Sequence, residues 1–470
     1  MKKTLLITIL LVIAFVFRTE AQFSVIHNFS EPAAGFHPHG DLISDGTFLY
    51  GMTTTGGSHL DGMIFKIMPD GSGYDTVLNF WGANGRIPQG SLIYDSTFLY
   101  GMASNGGIYD DGVVFKIKPD GTGYTKLLDF SGAATGAAPN GSLIYDGTFL
   151  YGMTRLGGIN NDGVIFKIKP DGTGYSKILD FAGTTNGGDP TASLVSDGTF
   201  LYGVTYQGGT GGSGYGVIFK IMPDGTSYSK LHDFNFPAGC NPVSTLTYDG
   251  TYLYGLAQNY GTHNKGTIFK IMLDGTGYVD IFNFTGVVSG YSPNGSLIYD
   301  GTFLYGMTYS GGINDSVSGG DGVIFKIMPD GTGYSKLYDF SYTSGEWPVG
   351  SLFSDGIFLY GTTSDAGTGS GNGTIFKCGI SFTTGIKKES KAQQISIYPN
   401  PSNGSFNLFI STPIKNGSVE VYNSLGELIL NEKIINQQNS IDLKDQMNGL
   451  YFIKVMSDGK IVGVEKVVKE

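Results

Sequence analysis

The chain has 470 residues, of which 75 are glycine, 13% are aromatic and only 15% are charged. This length allows two or three domains of roughly 100–200 residues each. Abundant glycine and aromatic residues with little charge favour many short strands joined by tight turns over a helical enzyme, which would be richer in Glu, Lys, Leu and Ala. The formal net charge of −11 argues against nucleic acid as the main partner, because phosphate binding needs clustered Lys and Arg.

Residues 1–21 are predicted to be a secretory signal peptide. Lys2 and Lys3 precede an apolar run from Leu5 to Phe17, and the residues near Ala21 suit a cleavage site. The run is shorter than the roughly 20 residues that a membrane-spanning helix needs, which disfavours a retained anchor. We therefore expect an exported protein with no transmembrane segment after the signal is removed.

The chain that follows contains seven copies of a motif at intervals of 50 to 55 residues. Each copy has a Pro, then the triplet Leu-Tyr-Gly, then the triplet [Val/Ile]-Phe-Lys. The Leu-Tyr-Gly triplets begin at Leu49, Leu99, Leu150, Leu201, Leu253, Leu304 and Leu359. The prolines are Pro38, Pro88, Pro139, Pro190, Pro242, Pro293 and Pro348.

Each copy contains four β-rich runs separated by Gly-containing turns. In the copy from Pro139 to Phe181 the runs are S-L-I-Y-D, T-F-L-Y-G-M-T, G-V-I-F-K-I-K and Y-S-K-I-L-D-F. Four strands at this period are typical of a β-propeller blade. We therefore predict an all-β fold in which residues 22–385 form a seven-bladed β-propeller.

The two ends of the repeat array complement each other. The seventh copy lacks its fourth run and continues into Cys378-Gly379, whereas Phe23–Phe29 (F-S-V-I-H-N-F) matches that run and has no copy before it. We expect this segment to pair with the last blade and close the ring, which removes the unpaired edges that promote aggregation. An open β-solenoid would not explain why the surplus at one end matches the deficit at the other.

The connections of a blade alternate between two faces of a propeller, and in this sequence only one face varies. The first and third connections are Asp-Gly and Pro-Asp-Gly turns in nearly every copy. The connection after Leu-Tyr-Gly and the one between Asn/Asp-Phe and Pro differ between copies, as in Gln207–Gly216 and Gly311–Gly322. Varied loops on a rigid scaffold are a common way to build a binding site, so we expect a site on this variable face, over the central channel.

The variable loops carry aromatic rings beside amide, imidazole and guanidinium groups, a composition that suits a carbohydrate or another neutral polar ligand. The candidate ligand-binding residues are Trp81, Arg86, Tyr109, Arg155, Tyr206, Tyr260, Tyr309 and Trp347. Other residues of the same loops are Phe36, His37, His39, His59, Asn160, Phe236, His263, Asn264 and Tyr291. The alternative is that these rings cap the blade ends and pack on each other.

Aspartates recur in the turns of the invariant face, where Asp is favoured because it tolerates a left-handed backbone and bonds its own main chain. Four others precede a Gly on the variable face and are weak candidates for calcium ligands: Asp61, Asp111, Asp162 and Asp321. Turn formation is the alternative for these four, because no Asp-x-Asp-x-Asp ladder is present. No other metal or cofactor is predicted.

Little in the sequence indicates catalysis. Residues 22–386 contain two glutamates, Glu31 and Glu346, whereas a glycosidase usually sets two carboxylates about a sugar ring. No nucleophile elbow, Cys-His pair or phosphate-binding loop is present. Cys240 and Cys378 lie in different copies of the motif, so export permits a disulfide that their positions do not favour.

The repeated L-Y-G-M-T-x-x-G-G…D-G-V-I-F-K-I-x-P-D-G-T-G-Y resembles the GloVer tandem repeat of bacterial secreted proteins over nearly all of residues 23–380. The resemblance implies a propeller-like surface protein joined to varied anchoring tails. It implies no established activity.

The composition changes near residue 385, where the polar segment 386–394 reads as a linker. Residues 22–386 hold 16 Lys and Arg against 30 Asp and Glu, whereas residues 387–470 hold 10 against 9. The tail, residues 395–470, resembles the type-A C-terminal sorting domain of the type IX secretion system of Bacteroidetes. The matching segments are I-S-I-Y-P-N-P-S-N-G-S-F, V-E-V-Y-N-S-L-G, I-D-L, G-L-Y-F-I-K-V and the final K-V-V-K-E.

Alternating residues and Asn-Gly turns in the tail predict a small Ig-like β-sandwich. The resemblance implies export across the outer membrane by the secretion machinery. It also implies removal of the tail by a sorting peptidase, with surface attachment or release. A second ligand-binding module is the alternative for this segment.

The sequence thus favours an exported binding or adhesion module that engages a glycan or a protein through the variable face. The main alternative is a carbohydrate-active enzyme, a lyase or a hydrolase, that uses loop Asp, His or Tyr residues. A third hypothesis is a structural component of a surface layer.

Overall fold

The computed structural model describes residues 23–210, 214–235, 238–313, 321–368, 371–380, 395–398, 402–410, 417–423, 428–434, 436–457 and 460–469. The predicted signal peptide, the predicted linker 386–394 and Phe236 lie outside these residues, as do parts of the loops Gln207–Gly216 and Gly311–Gly322. The chain divides into two compact units between residues 382 and 383.

Strands dominate both units, which confirms the predicted all-β class. In the first unit the strands of the early sheets are β2 (Phe36–Ser44), β3 (Leu49–Thr55), β4 (Met63–Ile67), β5 (Asp75–Asn79), β6 (Ile93–Tyr94), β7 (Leu99–Ala103), β8 (Val113–Ile117), β9 (Thr125–Asp129), β10 (Ile144–Tyr145), β11 (Leu150–Thr154), β12 (Val164–Ile168), β13 (Ser176–Asp180), β14 (Val195–Ser196), β15 (Leu201–Thr205), β16 (Val217–Ile221) and β17 (Ser229–Asp233). The later strands are β18 (Gly239–Pro242), β19 (Thr247–Tyr248), β20 (Tyr252–Tyr260), β21 (Thr267–Met272), β22 (Val279–Asn283), β23 (Tyr291–Tyr299), β24 (Leu304–Ser310), β25 (Val323–Ile327), β26 (Ser335–Asp339), β27 (Phe353–Ser354), β28 (Phe358–Thr363) and β29 (Thr374–Gly379), and β1 (Phe23–Asn28) precedes them all. Two short 3-10 helices, Pro32–Ala34 and Gly82–Asn84, lie in connections.

Within the described residues these strands form seven antiparallel sheets, which we call blades 1 to 7 in chain order. The blades are β2–β5, β6–β9, β10–β13, β14–β17, β18–β22, β23–β26, and β27–β29 with β1. In blade 5 both β18 and β19 pair with β20. The architecture is that of the predicted propeller.

Strand β1 completes the last blade, as the ends of the repeat array predict. It runs antiparallel to β29, with Phe23 opposite Cys378 and Asn28 opposite Thr374. The Asn28 side-chain oxygen accepts the backbone N–H of Thr368 at 3.0 Å. Other blades make the same bond with the last residue of their own outer strand, so β1 takes the place of a fourth strand.

Each blade shares an apolar core with the next. At its centre the Phe that follows the outer strand of one blade meets, edge to face, the Phe of the [Val/Ile]-Phe-Lys triplet in the next blade. The pairs are Phe80–Phe115, Phe130–Phe166, Phe181–Phe219, Phe234–Phe269, Phe284–Phe325, Phe340–Phe376 and Phe29–Phe65, with ring centroids 5.2 to 5.5 Å apart. The last pair joins blade 7 to blade 1, so the ring of cores is closed.

Turn chemistry accounts for the aspartates of the invariant face. In blade 3, Asp146 accepts the N–H groups of Thr148 and Phe149 at 2.7 Å and the Tyr151 hydroxyl at 2.8 Å. Burial opposes the charge of this carboxylate, but these hydrogen bonds outweigh it and lower the pKa of Asp146. Every blade has the equivalent Tyr–Asp bond, which ties the Leu-Tyr-Gly strand to the first turn.

In blades 2 to 5 the lysine of the [Val/Ile]-Phe-Lys triplet links neighbouring blades on this side. Lys167 of blade 3 donates to the Pro223 carbonyl of blade 4 at 3.0 Å, and its ammonium lies 5.2 Å from the centre of the Phe149 ring. These contacts leave little freedom for a variable site on the invariant face.

The second unit is a small antiparallel β-sandwich, as predicted. Its strands are β30 (Ile395–Tyr398), β31 (Ser405–Ile410), β32 (Gly417–Asn423), β33 (Leu428–Ile434), β34 (Gln438–Asp442), β35 (Gly449–Ser457) and β36 (Lys460–Lys469). They form one sheet in the order β30-β31-β34 and another in the order β33-β32-β35-β36. Buried side chains of both sheets, among them Phe406, Val421 and Ile453, make one core.

The described residues include no helix long and apolar enough to cross a membrane.

Replacing Phe29 by Ala should destabilise the propeller as much as replacing Phe181 by Ala, because both rings fill the same kind of core between neighbouring blades. Truncating a buried Phe costs about 3–5 kcal/mol. Urea unfolding of the full chain, followed by the fluorescence of Trp81 and Trp347, measures both effects. If Phe29→Ala left the midpoint unchanged while Phe181→Ala lowered it, the N-terminal strand would not close the ring.

Candidate functional site

The propeller is organised around a ring of hydrogen bonds that the repeated motif alone does not predict. Each copy continues its Pro as Pro-x-small-Ser, with Asp or Thr replacing Ser in one copy each. The backbone N–H of the fourth residue donates to the side-chain oxygen of the fourth residue in the next blade. The bonds run Asp41→Ser91, Ser91→Ser142, Ser142→Ser193, Ser193→Thr245, Thr245→Ser296, Ser296→Ser351 and Ser351→Asp41, at 2.6 to 3.0 Å.

In four blades the inner strand is shorter than predicted, whereas in blades 1 and 6 the inner strands β2 and β23 have nine residues with a register shift near the ring. The run S-L-I-Y-D was expected to form a strand over its whole length, but in blades 2, 3, 4 and 7 only two residues of it pair with the next strand. The N–H of its Ser is taken up by the neighbouring blade and is therefore not available to its own sheet.

The residue before each Ser is small because the blades nearly touch at the ring. A Cβ at Gly90 would stand 2.2 Å from the carbonyl oxygen of Gly141, and one at Gly350 would stand 2.2 Å from that of Gly40. No side chain fits so close to backbone, so the Gly keeps the ring tight.

The residue before each Pro adopts a left-handed backbone although none of the seven is glycine. These residues are His37, Ile87, Ala138, Asp189, Asn241, Ser292 and Trp347, with φ between 50° and 56°. Such a backbone is disfavoured for bulky side chains, above all for the β-branched Ile87. Strain of this kind persists where the surroundings impose it, and it often marks functional sites.

Two positions of neighbouring blades contact each other here. One is the residue before Pro, and the other is the fifth residue after the Leu of Leu-Tyr-Gly in the preceding blade. Between blades 3 and 4 these are Arg155 and Asp189, whose Nε and Oδ1 atoms lie 2.6 Å apart. Between blades 6 and 7 they are Tyr309 and Trp347, whose rings stack with centroids 5.7 Å apart and planes 12° apart.

A cavity of about 410 Å³ opens at the channel mouth. All seven blades line it, through the Pro-x-small-Ser segments and through Arg155, Asp189 and Tyr206 of the rim. The residues at x are His39, Gln89, Asn140, Thr191, Val243, Asn294 and Val349. The cavity is therefore mostly polar, and it lies on the face that the sequence identified as variable.

One wall of the cavity is a neutral imidazole. The Nδ1 atom of His39 lies 2.6 Å from the Gln89 carbonyl oxygen, so Nδ1 carries a proton and Nε2 is an acceptor. Burial lowers the pKa of His39, although the Gln89 bond and the Asp41 charge oppose this shift.

The structure distributes the eight candidate ligand-binding residues over several places. Arg155 and Tyr206 line the cavity, and Tyr309 occupies the equivalent position in blade 6, stacked on Trp347. Tyr260 contacts Tyr215 edge to face at 5.8 Å.

Three candidates lie away from the cavity. Trp81 is 51% exposed and Tyr109 is 61% exposed. Arg86 forms a bidentate ion pair with Asp110, at 3.1 and 2.6 Å. Both tryptophans fall in the same connection by sequence, but Trp81 starts it and Trp347 ends it, and Trp347 stacks on Tyr309.

A pair of carboxyl groups lies next to Trp347. Glu346 is hydrogen-bonded to Asp321, which is only 6% exposed, and the backbone of Glu346 pairs with that of Asp365. Burial, the hydrogen bond to Asp321 and the charges of Asp321 and Asp365 raise the pKa of Glu346 to about 7. One proton is therefore shared between the two carboxyls near neutral pH.

The four weak calcium candidates lie in different blades. The backbone carbonyls of Asp61, Asp111 and Asp162 accept the N–H of the residue before the next Pro, at 2.8 to 3.0 Å. Across the described residues, no group of three His, Cys, Asp or Glu side chains could hold a metal ion. Cys240 and Cys378 are buried and free, and burial raises the pKa of each thiol to about 12.

The residues that sequence reasoning missed are those of the Pro-x-small-Ser segment and the residue before Pro. Both had a visible signal, since the tetrapeptide recurs in all seven copies. By itself the tetrapeptide indicates only the start of a strand, because its hydrogen-bond partners lie some 50 residues away in the next blade.

Sequence and structure comparisons agree with this architecture. The chain matches the Gloeobacter/Verrucomicrobia repeat over residues 13–214, 145–319 and 209–387, and the secretion system C-terminal sorting domain over residues 396–470. No curated protein matches the sequence.

Among solved structures, the chain is similar to an oligogalacturonate lyase in complex with manganese, with a TM-score of 0.50 and 13% identity over 76% of this chain and 93% of the lyase. It is also similar to the extracellular domain of the one component system BT4673 from B. thetaiotaomicron, with a TM-score of 0.48 and 12% identity over 96% of this chain and 58% of that one. At such identities the likeness concerns the fold alone.

The repeat covers most of the sequence and the sorting domain covers its end. The chain therefore belongs to the Gloeobacter/Verrucomicrobia repeat family, and its type IX C-terminal sorting domain directs it to the cell surface or the extracellular space.

Proposed function

We propose that this exported protein is a binding or adhesion module that takes a glycan or a protein at the mouth of its central channel. The observation that carries the proposal is the cavity on the variable face, to which all seven blades contribute. Concave sites with a few convergent polar groups are the usual form of ligand-binding sites. Arg155, Asp189 and Tyr206 supply such groups at the rim.

The charges of the variable face favour a neutral or cationic ligand over a polyanion. Arg86 and Arg155 are each paired with an aspartate. Asp321, Glu346 and Asp365 form an acidic group beside Trp347. A negatively charged polymer would meet more carboxylates here than free cations.

Export is part of the same proposal. The sorting domain interacts with the secretion machinery. We propose that a sorting peptidase then removes it at the predicted linker 386–394, between a propeller of residues 22–385 and a tail of residues 395–470, after the signal peptide 1–21 has been cleaved. Linkers of this composition are preferred sites of proteolysis.

Replacing Arg155 by Ala should weaken ligand binding by about tenfold or more, whereas replacing Arg86 by Ala should leave it unchanged. Both arginine side chains are at least one third exposed on the same face, so neither change should unfold the protein. Only Arg155 lines the cavity, and arginines at the centre of a site often carry much of its affinity.

The measurement is binding of the full-length protein and both variants to immobilised polysaccharides, oligosaccharides and proteins from its natural surroundings. Loss of affinity in Arg86→Ala but not in Arg155→Ala would move the site away from the channel. Failure of the parent protein to bind any of these probes would contradict the proposal itself.

A carbohydrate-active enzyme is the second candidate, and the Glu346–Asp321 pair favours it. A carboxyl that keeps its proton near neutral pH can act as a general acid. The two hydrogen-bonded groups are closer than the roughly 5 to 9.5 Å that separates the carboxyls of most glycoside hydrolases, so a hydrolase would need another carboxylate such as Asp365. Polysaccharide turnover by the full chain, lost in Glu346→Gln while binding is kept, would support this candidate.

The Glu346–Asp321 pair also makes stability depend on pH. The pKa of Glu346 is raised from 4.5 to about 7, so the protonated form suits the folded state. The stabilisation of the folded state by protonated Glu346 is present in full below pH 4.5, the pKa of this group in the unfolded chain. It is lost as pH rises through 7. Glu346→Gln keeps a hydrogen-bond donor at all pH values.

The free energy of unfolding of the parent should therefore fall relative to that of Glu346→Gln between pH 5 and pH 8, by about 1 kcal/mol after solvent screening of this partly exposed group. Urea titrations at several pH values measure the difference. Glu31→Gln, which changes the exposed glutamate of the same face, should follow the parent. Parallel curves for the parent and Glu346→Gln would mean that the proton is not shared.

A further inference from the structure

The wall of the channel cavity is continuous. The residues after the seven prolines stand side by side around it, one from each blade. Because every blade contributes to the wall, a polymer cannot cross the cavity from one side to the other. It enters the cavity only along the channel axis, by its end. The volume of about 410 Å³ is at the low end of the range for ligand pockets, roughly 300–1,000 Å³. It admits the terminal part of a glycan and not a longer segment of chain.

The wall has a polar arc and an apolar one. Blades 1 to 4 contribute, in order, His39, Gln89, Asn140 and Thr191. Blades 5 and 7 contribute Val243 and Val349 on either side of Asn294. A sugar ring has the matching character, since its hydroxyl groups lie around an edge and its C–H groups form an apolar face. The Gln, Asn and Thr side chains of the polar arc can each donate and accept, as recognition of several hydroxyls requires.

The charges at the cavity exclude an acidic sugar. The guanidinium of Arg155 is neutralised by Asp189 at 2.6 Å, and Asp41 adds a second carboxylate to the wall. The imidazole of His39 is neutral at physiological pH because burial lowers its pKa. A carboxylate, sulfate or phosphate on the ligand would therefore meet net negative charge in a confined space.

Thr191 has a hydroxyl whose hydrogen-bonding capacity is unused within the described residues. Its Oγ1 atom is shielded from solvent and has no hydrogen-bond partner, which is unusual for a buried polar atom. Turning the side chain about χ1 toward the cavity would break no hydrogen bond. A ligand hydroxyl at this wall, next to Asp189, would give Oγ1 the partner it lacks.

We propose that the channel mouth recognises one uncharged terminal sugar residue of a glycan, which enters end on and is held by Arg155, Asp189 and Thr191 on the side of blades 3 and 4. This inference rests on the proposed binding function and narrows its ligand from any glycan or protein to the neutral end of a glycan chain.

Replacing Thr191 by Val tests the inference with little risk to the fold, because the change removes a hydroxyl that has no partner among the residues the structure describes. The matched control is Thr362→Val. The Thr362 hydroxyl is also buried and unpartnered, but it occupies the place of Met52 and Met102 in other blades and does not line the cavity. Both variants should be at least as stable as the parent.

The probes are immobilised oligosaccharides that end in a neutral hexose, deoxyhexose or N-acetylhexosamine, together with matched oligosaccharides that end in a uronic acid. The full-length protein should bind a neutral-ended probe and not its uronate-ended counterpart, and the free terminal monosaccharide should compete. Thr191→Val should bind about three- to tenfold more weakly, as expected for one lost hydrogen bond, and Thr362→Val should bind like the parent. Gln89→Leu, on the opposite part of the polar arc, should also weaken binding.

Three results would overturn the inference. Equal affinity of Thr191→Val, Gln89→Leu and the parent would remove the polar arc from the site. Preference for the uronate-ended probes would contradict the exclusion of acidic sugars. Binding that the monosaccharide does not displace would mean recognition along the chain. If Arg155→Ala still weakens binding in any of these cases, the proposed binding function holds and only this inference fails. If the protein binds no glycan or protein at all, both the function and the inference fail.

Discussion

The hydrogen bond from the backbone of one blade to the side chain of the next is the constraint on which the rest of the propeller depends. It brings the blades so close that Gly90 and Gly350 have no room for a Cβ. It withdraws the N–H group of the tetrapeptide's fourth residue from its own sheet, and in blades 2, 3, 4 and 7 the inner strand pairs over only two residues. It also fixes the residue after each Pro on the channel wall, where the cavity opens. Scaffold and candidate site are thus built from the same tetrapeptide.

Most of the fold could be predicted from the sequence because its determinants are local and repeated. Leu-Tyr-Gly, the Asp-Gly turns and the Asn/Asp-Phe ends each mark one strand or turn, and Phe23–Phe29 could be assigned to the last blade by matching it to a missing run. The hydrogen bonds around the channel could not be predicted in this way. Ser91 and Ser142 are partners only because two blades are neighbours in a ring, which no local pattern records.

The eight candidate residues stay a prediction, and two of them, Arg155 and Tyr206, line the cavity. Residue type alone does not distinguish Arg86 from Arg155, because both are arginines in loops of the variable face. The structure separates them, because Arg155 lies one residue beyond a Thr that ends the second strand, whereas Arg86 lies two residues before a Pro. Position within the repeat, more than residue type, decides which side chain reaches the channel, and it explains why Trp347 and Trp81 differ as well.

The left-handed residue before each Pro has a consequence for how such a protein can change its ligand. Seven copies of one backbone geometry carry His, Ile, Ala, Asp, Asn, Ser and Trp at this position. The hydrogen bonds that flank this position are made by main-chain atoms and by other residues. The fold therefore imposes the left-handed backbone and does not restrict which side chain stands there. The positions before Pro therefore behave as a set of interchangeable slots on an invariant frame, and one of their residues, Asp189, lines the cavity. A new specificity needs substitutions in those slots and no insertion, deletion or repacking elsewhere.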